Sequence, residues 1–412
     1  MASDATQSAN MHPGPAVRWE EHTWEANTST VGMSRAQREV IGKRYRAAVP
    51  ADIATMPLRV DPDIAAGAED ARAEITRFDA ELSGMFPGEF APLASVLLRT
   101  ESASSSQIEH ITAGAKALSL AEIGLSKYGT NANLVAANVD AMNRALDLAD
   151  DITPDSIVTI HEALMRGQDH ADPGAFRDQQ VWIGGRSYSP HGAAFIPPHH
   201  TRVRTAIADL CVFAARPDLP LLSQAAVAHA QFETIHPFND GNGRTGRALV
   251  HALLKRAGAT TRTTVPVSAG LLADTDAYFQ ALTTYREGDP NAIVTQFTRA
   301  SFAAINNGTR LARDLQDIHD RWVGTLRARK DSVAWRVLPY LLRQPSVTSS
   351  LIQANTGVSQ PAVDRALRQL EEAGILAKPR AVVGANRKRN VVWQANDVFD
   401  ALDAFAERAR RP

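Results

Sequence analysis

The stretch His236-Pro-Phe-Asn-Asp-Gly-Asn-Gly-Arg-Thr-Gly-Arg247 constrains this chain more than any other part of it. Upstream, Leu221 to Ile235 is alanine-rich and reads as helix. Downstream, Ala248, Leu249, Leu253 and Leu254 keep helical spacing. The stretch is therefore a helix–loop–helix connection whose second helix starts near Gly243. A helix start exposes free backbone N–H groups at the positive end of the dipole, so it attracts anions. Gly241 and Gly243 leave that turn without side chains and let phosphate oxygens approach the backbone. Arg244 and Arg247, three residues apart on one helical face, can aim fork-shaped donors at the same anion. Asp240 is a hard oxygen ligand suited to Mg²⁺ held between phosphates. An imidazole such as His236 exchanges protons near neutral pH. Together these residues describe a nucleotide-phosphate site with a general base beside it.

Rival readings explain less. Gly241, Gly243 and Gly246 also spell G-x-G-x-x-G, but a dinucleotide fold needs a strand immediately before that motif, and here a helix and His-Pro-Phe precede it. The chain has no G-x-x-x-x-G-K-[ST] and no H-E-x-x-H. A plain surface loop would leave both arginines and Asp240 unexplained. The 412 residues suggest two or three domains, and 44% hydrophobic with 22% charged residues is ordinary for a globular protein. A net charge of −1 exerts no global pull toward nucleic acid or anionic membrane. One cysteine, Cys211 in an apolar run, fits inert core and a reducing compartment. With no secretory signal and no apolar run of about eighteen residues, the expected location is cytoplasmic.

The 236–247 stretch resembles the Fic-family signature H-x-F-x-[DE]-G-N-G-R-x-x-R at every defined position. The resemblance implies an all-α Fic domain that transfers AMP from ATP to a Ser, Thr or Tyr hydroxyl of a protein, itself included. It implies that His236 deprotonates the hydroxyl, Phe238 anchors the loop and Asp240 binds Mg²⁺. Gly241, Asn242 and Gly243 would line the anion hole, and Arg244 and Arg247 would hold the outer phosphates, with Thr245 and Gly246 in the same nucleotide-binding run. The related Doc kinases carry Lys where this chain has Gly243, which argues against phosphotransfer.

A second stretch, Thr100 to His110, resembles the family's inhibitory helix [ST]-x-x-x-E-[GN], read as Ser105 to Glu109 with His110 in place of Gly or Asn. A carboxylate on Arg247 would occupy the donor that the γ-phosphate needs. The alternative is a solvated Glu at a helix end. Val181, Trp182, Ile183, Gly184 and Gly185, with Ala194, Phe195 and Ile196, read as a small β-hairpin. In the family such a flap pairs with the target's backbone; a purely structural hairpin is the alternative. His191, His199 and His200 offer either a metal cluster or solvated loop histidines. Tyr278 to Gly288 resembles the adenosine-side wall, with Arg286 where Asn is usual.

The expected fold is mainly α: a Fic-type helical core with a small β-hairpin flap, plus a C-terminal winged helix-turn-helix domain. Residues 1–15 read as a disordered tail. Residues 16–115 read as an N-terminal helical region carrying the inhibitory helix, helical over 34–49 and 61–82, with Trp19 and Trp24 packed on the body. Residues 116–308 read as the catalytic core and 309–330 as a charged helical connector. Within 331–412, helices over 349–355 and 361–373 precede strands over 375–378 and 391–393, which looks like a winged helix. Arg365, Arg368, Arg387, Lys388 and Arg389 suit phosphates there. DNA and a protein surface, including a second copy of the chain, stay open as its partners. For the whole chain the alternatives are a DNA-bound regulator with a nucleotide-sensing Fic body, a different nucleotide donor, or removal of AMP.

Overall fold

The computed structural model describes residues 14–25, 33–85, 91–127, 130–383 and 389–411. The expected tail over 1–15 lies outside them but for its last two residues, as do Arg387 and Lys388.

The chain opens with a ribbon. Strand β1 (Arg18–Thr23) pairs antiparallel with β2 (Arg44–Val49), and a single turn of helix, α1 (Arg35–Arg38), lies between them. The helix expected over 34–49 is thus confined to one turn. The physical reason is period two: Tyr45 and Ala47 are buried while Arg44 and Arg46 are exposed, and β1 supplies the backbone partner.

Helices follow: α2 (Pro62–Met85), α3 (Ala91–Ile108), α4 (Ala115–Glu122), α5 (Asn131–Asp147), α6 (Pro154–Met165), α7 (Val203–Ala214), α8 (Leu221–Ile235), α9 (Asn242–Arg256), α10 (Val267–Leu272), α11 (Thr275–Arg286) and α12 (Asn291–Thr325). Start signals match the chain. Thr153 caps α6 in a reciprocal box with Ser156, and Pro154 takes its first position. From Leu222 to Ile235 every residue of α8 is buried, so this helix is the axis of the core. α9 packs on it, with Gly246 at the crossing: a Cβ there would come within 2.9 Å of Phe232.

α12 runs unbroken for 35 residues, through the boundary expected at 308/309. It buries Leu311, Leu315, Ile318 and Trp322 beyond that point, so residues 309–325 are amphipathic and not solely a solvated connector. Gly308 lets Phe78 of α2 approach within 2.9 Å of where a Cβ would stand.

The C-terminal part comprises α13 (Val333–Arg343), β3 (Ser346–Val347), α14 (Ser349–Thr356), α15 (Gln360–Glu372), β4 (Ala377–Val383), β5 (Arg389–Gln394) and α16 (Asn396–Arg408), with sheet order β3-β5-β4. Gly357 and Gly374 end α14 and α15 in left-handed conformation. α16, which sequence reading leaves out, returns to pack on α12. Gln344 and Ser346 meet Ser119 of α4 at 2.9 to 3.0 Å, and one hydrophobic core runs from Ile53 to Ala409. Among the described residues no helix is long and apolar enough to cross a membrane.

Candidate active site

α8 ends at His236, whose φ of 49° is left-handed. That backbone turns the chain into the loop and is rare for a residue with a side chain. Arg177 and Asn242 hold it. The buried Arg177 guanidinium donates to the carbonyls of His236 at 2.8 Å, Pro198 at 2.6 Å and Gln179 at 2.9 Å. Its backbone N–H donates to Pro237 at 3.0 Å. Asn242 grips Phe238 in both directions at 2.9 Å. Phe238, fully buried, stacks on His161 with ring centroids 3.7 Å apart.

His161 joins two loops. Its Nδ1 accepts from the Gly174 N–H at 3.2 Å, so Nε2 carries the hydrogen that goes to the Asp240 carbonyl at 3.1 Å. Burial pushes its pKa down to about 4, so it is neutral at pH 7. Beside His236, Glu233 places a carboxylate oxygen 3.7 Å from Nδ1. Burial raises the Glu233 pKa, but His236 and then His229 pull it down to about 2, so it stays ionised. Sequence reading gives no role to Arg177, His161 or Glu233. Glu233, three residues before the histidine on a helix, was the findable one.

Past the loop, Gly241 stands at φ 77° and α9 begins without a side-chain cap. Arg244 is 2% exposed, and its Nε and Nη1 have no partner among the described residues. Its Nη2 lies 3.7 Å from Asp240, and burial lowers its pKa. A buried guanidinium with unused donors suits an anion. Arg247, equally buried, has its Nε and Nη2 engaged. Its Nε donates to Ser105 Oγ at 2.9 Å, and its Nη2 to the Ser105 carbonyl and to Glu109 Oε1, both at 2.8 Å. Burial works against its charge, but Glu109 outweighs that and raises its pKa. Glu109 follows α3, and His110 makes the turn at φ 60° that Gly or Asn makes more easily. A Cβ on Gly243 would stand 2.0 Å from Glu109 Oε1, so the carboxylate fills the space over the start of α9.

Other expected site residues sit apart. Asn242 spends its side chain on the loop. Thr245 is buried within the fold, and Gly246 belongs to the α8–α9 crossing. Tyr278 is 1% exposed and bonded to His229 at 2.7 Å; the exposed ring there is Phe279. Cys211 is buried and its thiol is pushed up to about 12, which suits no nucleophile.

The flap has Ile183 paired with Phe195, the Ile183 N–H donating to the Phe195 carbonyl at 2.8 Å. Val181, Trp182 and Ile183 are partly buried and Gly184 is exposed. The far arm also leans on the ribbon, because the Ala48 N–H reaches the Ile196 carbonyl at 2.9 Å. Trp24 meets Trp182 edge-on at 5.3 Å, and the Arg286 guanidinium lies 3.8 Å over the Phe195 ring. His199 stacks on His22 at 4.4 Å, and among the described residues no cluster of His, Cys, Asp or Glu is arranged to hold a metal.

Two helices presenting a histidine, a glycine turn and two buried arginines define a Fic-type site, and residues 151–254 match the model of the Fic/DOC family. Over those residues the chain is similar to Fic-family proteins. It is similar to a protein named adenylyltransferase Fic from Aedes aegypti, 36% identical over 109 residues that make up 26% of this chain and 21% of that one. It is also similar to protein adenylyltransferase fic-1 from Caenorhabditis elegans, 25% identical over 45% of this chain and 31% of the relative. The chain thus spans about a fifth to a third of these relatives. A Fic family protein from Desulfovibrio desulfuricans G20 shares the fold at a TM-score of 0.51 and 20% identity, over 82% of this chain and 97% of that one.

Proposed function

We propose that this chain transfers AMP from ATP to a Ser, Thr or Tyr hydroxyl of a protein, and that Glu109 restrains it. The observation that carries the reading is the pair of buried arginines at the start of α9, one with free donors and one held by a carboxylate. Arg244 and the uncapped N–H groups at α9 suit phosphate oxygens. The α-phosphorus is attacked by the target hydroxyl oxygen, its bond to the β-phosphate oxygen breaks, and pyrophosphate leaves. The hydroxyl proton passes to His236, whose Nδ1 side faces the ionised Glu233. Asp240 is 51% exposed, and its Oδ1 accepts from the Gly241 N–H at 2.6 Å. It fits Mg²⁺, an ion usually held by one or two carboxylates with phosphates and water completing the shell. The ion would neutralise phosphate charge. The flap residues Val181 to Gly184, seated on the ribbon, suit a target backbone laid alongside them.

Glu109 would take the Arg247 donors that the γ-phosphate needs, so ATP binds in a poor orientation. Incubation with ATP labelled at the α-phosphate tests this. Stable label on protein supports the reading; label transferred only from the γ-phosphate, or none from either position in Glu109→Gly, overturns it. Mass spectrometry of proteins labelled in lysate would identify the target.

For the C-terminal part we infer a winged-helix role. The α14–α15 pair followed by the β4–β5 ribbon supports it, with Arg365 and Arg368 exposed on α15. DNA and a protein surface are its candidate partners.

A further inference from the structure

α3 has two working faces. Glu101, Ser105 and Glu109 recur every four residues and meet α9, with Glu101 2.9 Å from His251 and the other two on Arg247. Thr100, Ala103, Ser104 and Gln107 point the opposite way and line a cavity of about 300 Å³ closed by α4 and α16. That volume is at the small end for ligand pockets.

The cavity has an apolar wall and a polar end. Leu118, Leu402 and Phe405 form the wall. At the polar end Ser104, 5% exposed, is part of the lining. α4 begins there at Gly114 with no side-chain cap, leaving first-turn N–H groups to be satisfied. Arg410 faces it from α16's end, its guanidinium 3.4 Å from Gln107 Oε1. Asp403 on the same wall disfavours a dianion.

We propose that this cavity binds a small monoanion with an apolar body, a medium-chain carboxylate by chemical class, and that binding strengthens the hold of Glu109 on Arg247. The cavity exists because α3 lies between α9 and α16. A ligand that fills it adds its binding free energy to that arrangement and shifts the population toward it. The regulatory half rests on the proposed function; the binding half does not.

Octanoate titrated calorimetrically into the full chain is the probe. One saturable site is expected, weakened about tenfold in Arg410→Ala, the size of one lost charge-assisted hydrogen bond. Ser104→Val, which keeps volume but removes the hydroxyl, should also weaken it. No saturable binding, or equal affinity in wild type and both variants, overturns the site. Hydrogen exchange of the α3 amides should slow with octanoate, and labelling from ATP should fall in wild type but not in Glu109→Gly. Binding that leaves both exchange and labelling unchanged overturns the coupling. If Glu109→Gly labels like wild type without octanoate, the proposed function fails, while titration and exchange still decide the site.

Discussion

In the proposed mechanism His236 is the general base, and its neighbours explain its pose. Arg177 holds the carbonyl at the turn, and Glu233 faces the ring. His236→Ala should lower AMP transfer by about a hundredfold or more while ATP affinity stays close to wild type, because a general base acts on the incoming hydroxyl and not on the nucleotide. Single-turnover labelling alongside equilibrium ATP binding separates the two; unchanged turnover removes His236 from the mechanism. His161 governs a different property. Its pKa is depressed to about 4 in the fold, below the ordinary 6.5, so the unfolded chain binds the extra proton first as pH falls. Its contribution to stability is therefore complete above about pH 6.5 and is lost progressively down to pH 4. The loss is on the order of 3 kcal/mol. Denaturant unfolding at pH 7, 5.5 and 4.5 should show that loss in wild type and less of it in His161→Phe, which keeps the stack on Phe238. An equal slope in both would contradict it.

At the scale of elements, α3 and α9 form a ladder of polar pairs from Glu101–His251 to Glu109–Arg247. Ser105 holds the middle rung. Ser105→Ala should loosen Arg247 and raise labelling by about tenfold, since one hydrogen bond to a charged group is worth about 1.5 kcal/mol or more. Labelling at or below wild type would show that Ser105 does not steady the resting pair. The α8–loop–α9 connection was legible because helical periodicity, a glycine turn and paired arginines all sit within one short window. The Ser105–Glu109 spacing was legible only through its resemblance to a family pattern. The ribbon was not, because β2 becomes a strand through β1, about twenty residues away, and Ala47 and Ala48 suit a helix equally well. His161 and Arg177 stayed hidden because each acts on a loop far along the chain, at Asp240 and His236 respectively. Tyr278, first in the stretch that resembles the adenosine-side wall, is buried support, since an aromatic at helical spacing serves either purpose until packing decides.

At the scale of the molecule, α12 is shared. It packs on α2, α8 and α16, so N-terminal, catalytic and C-terminal parts share one core. Thermal unfolding followed by calorimetry should show a single cooperative transition; two well-separated transitions would contradict that sharing. If the C-terminal part meets DNA, affinity should fall steeply with salt, and Arg365→Ala with Arg368→Ala should flatten the slope by about two powers of salt. An unchanged slope favours a protein partner. In the proposed mechanism Glu109 and Arg247, 138 positions apart, meet to hold transfer down. The direct test is labelling from α-phosphate-labelled ATP in wild type, Glu109→Gly, Arg247→Ala and the double variant, across a range of ATP concentrations. Misplaced reacting groups can cost about a hundredfold in rate, so Glu109→Gly should label tens of times faster than wild type. Arg247→Ala and the double variant should stay low, because the phosphate clamp is gone with its restraint. Wild-type labelling by Glu109→Gly at every ATP concentration would contradict the claim and leave α3 a scaffold.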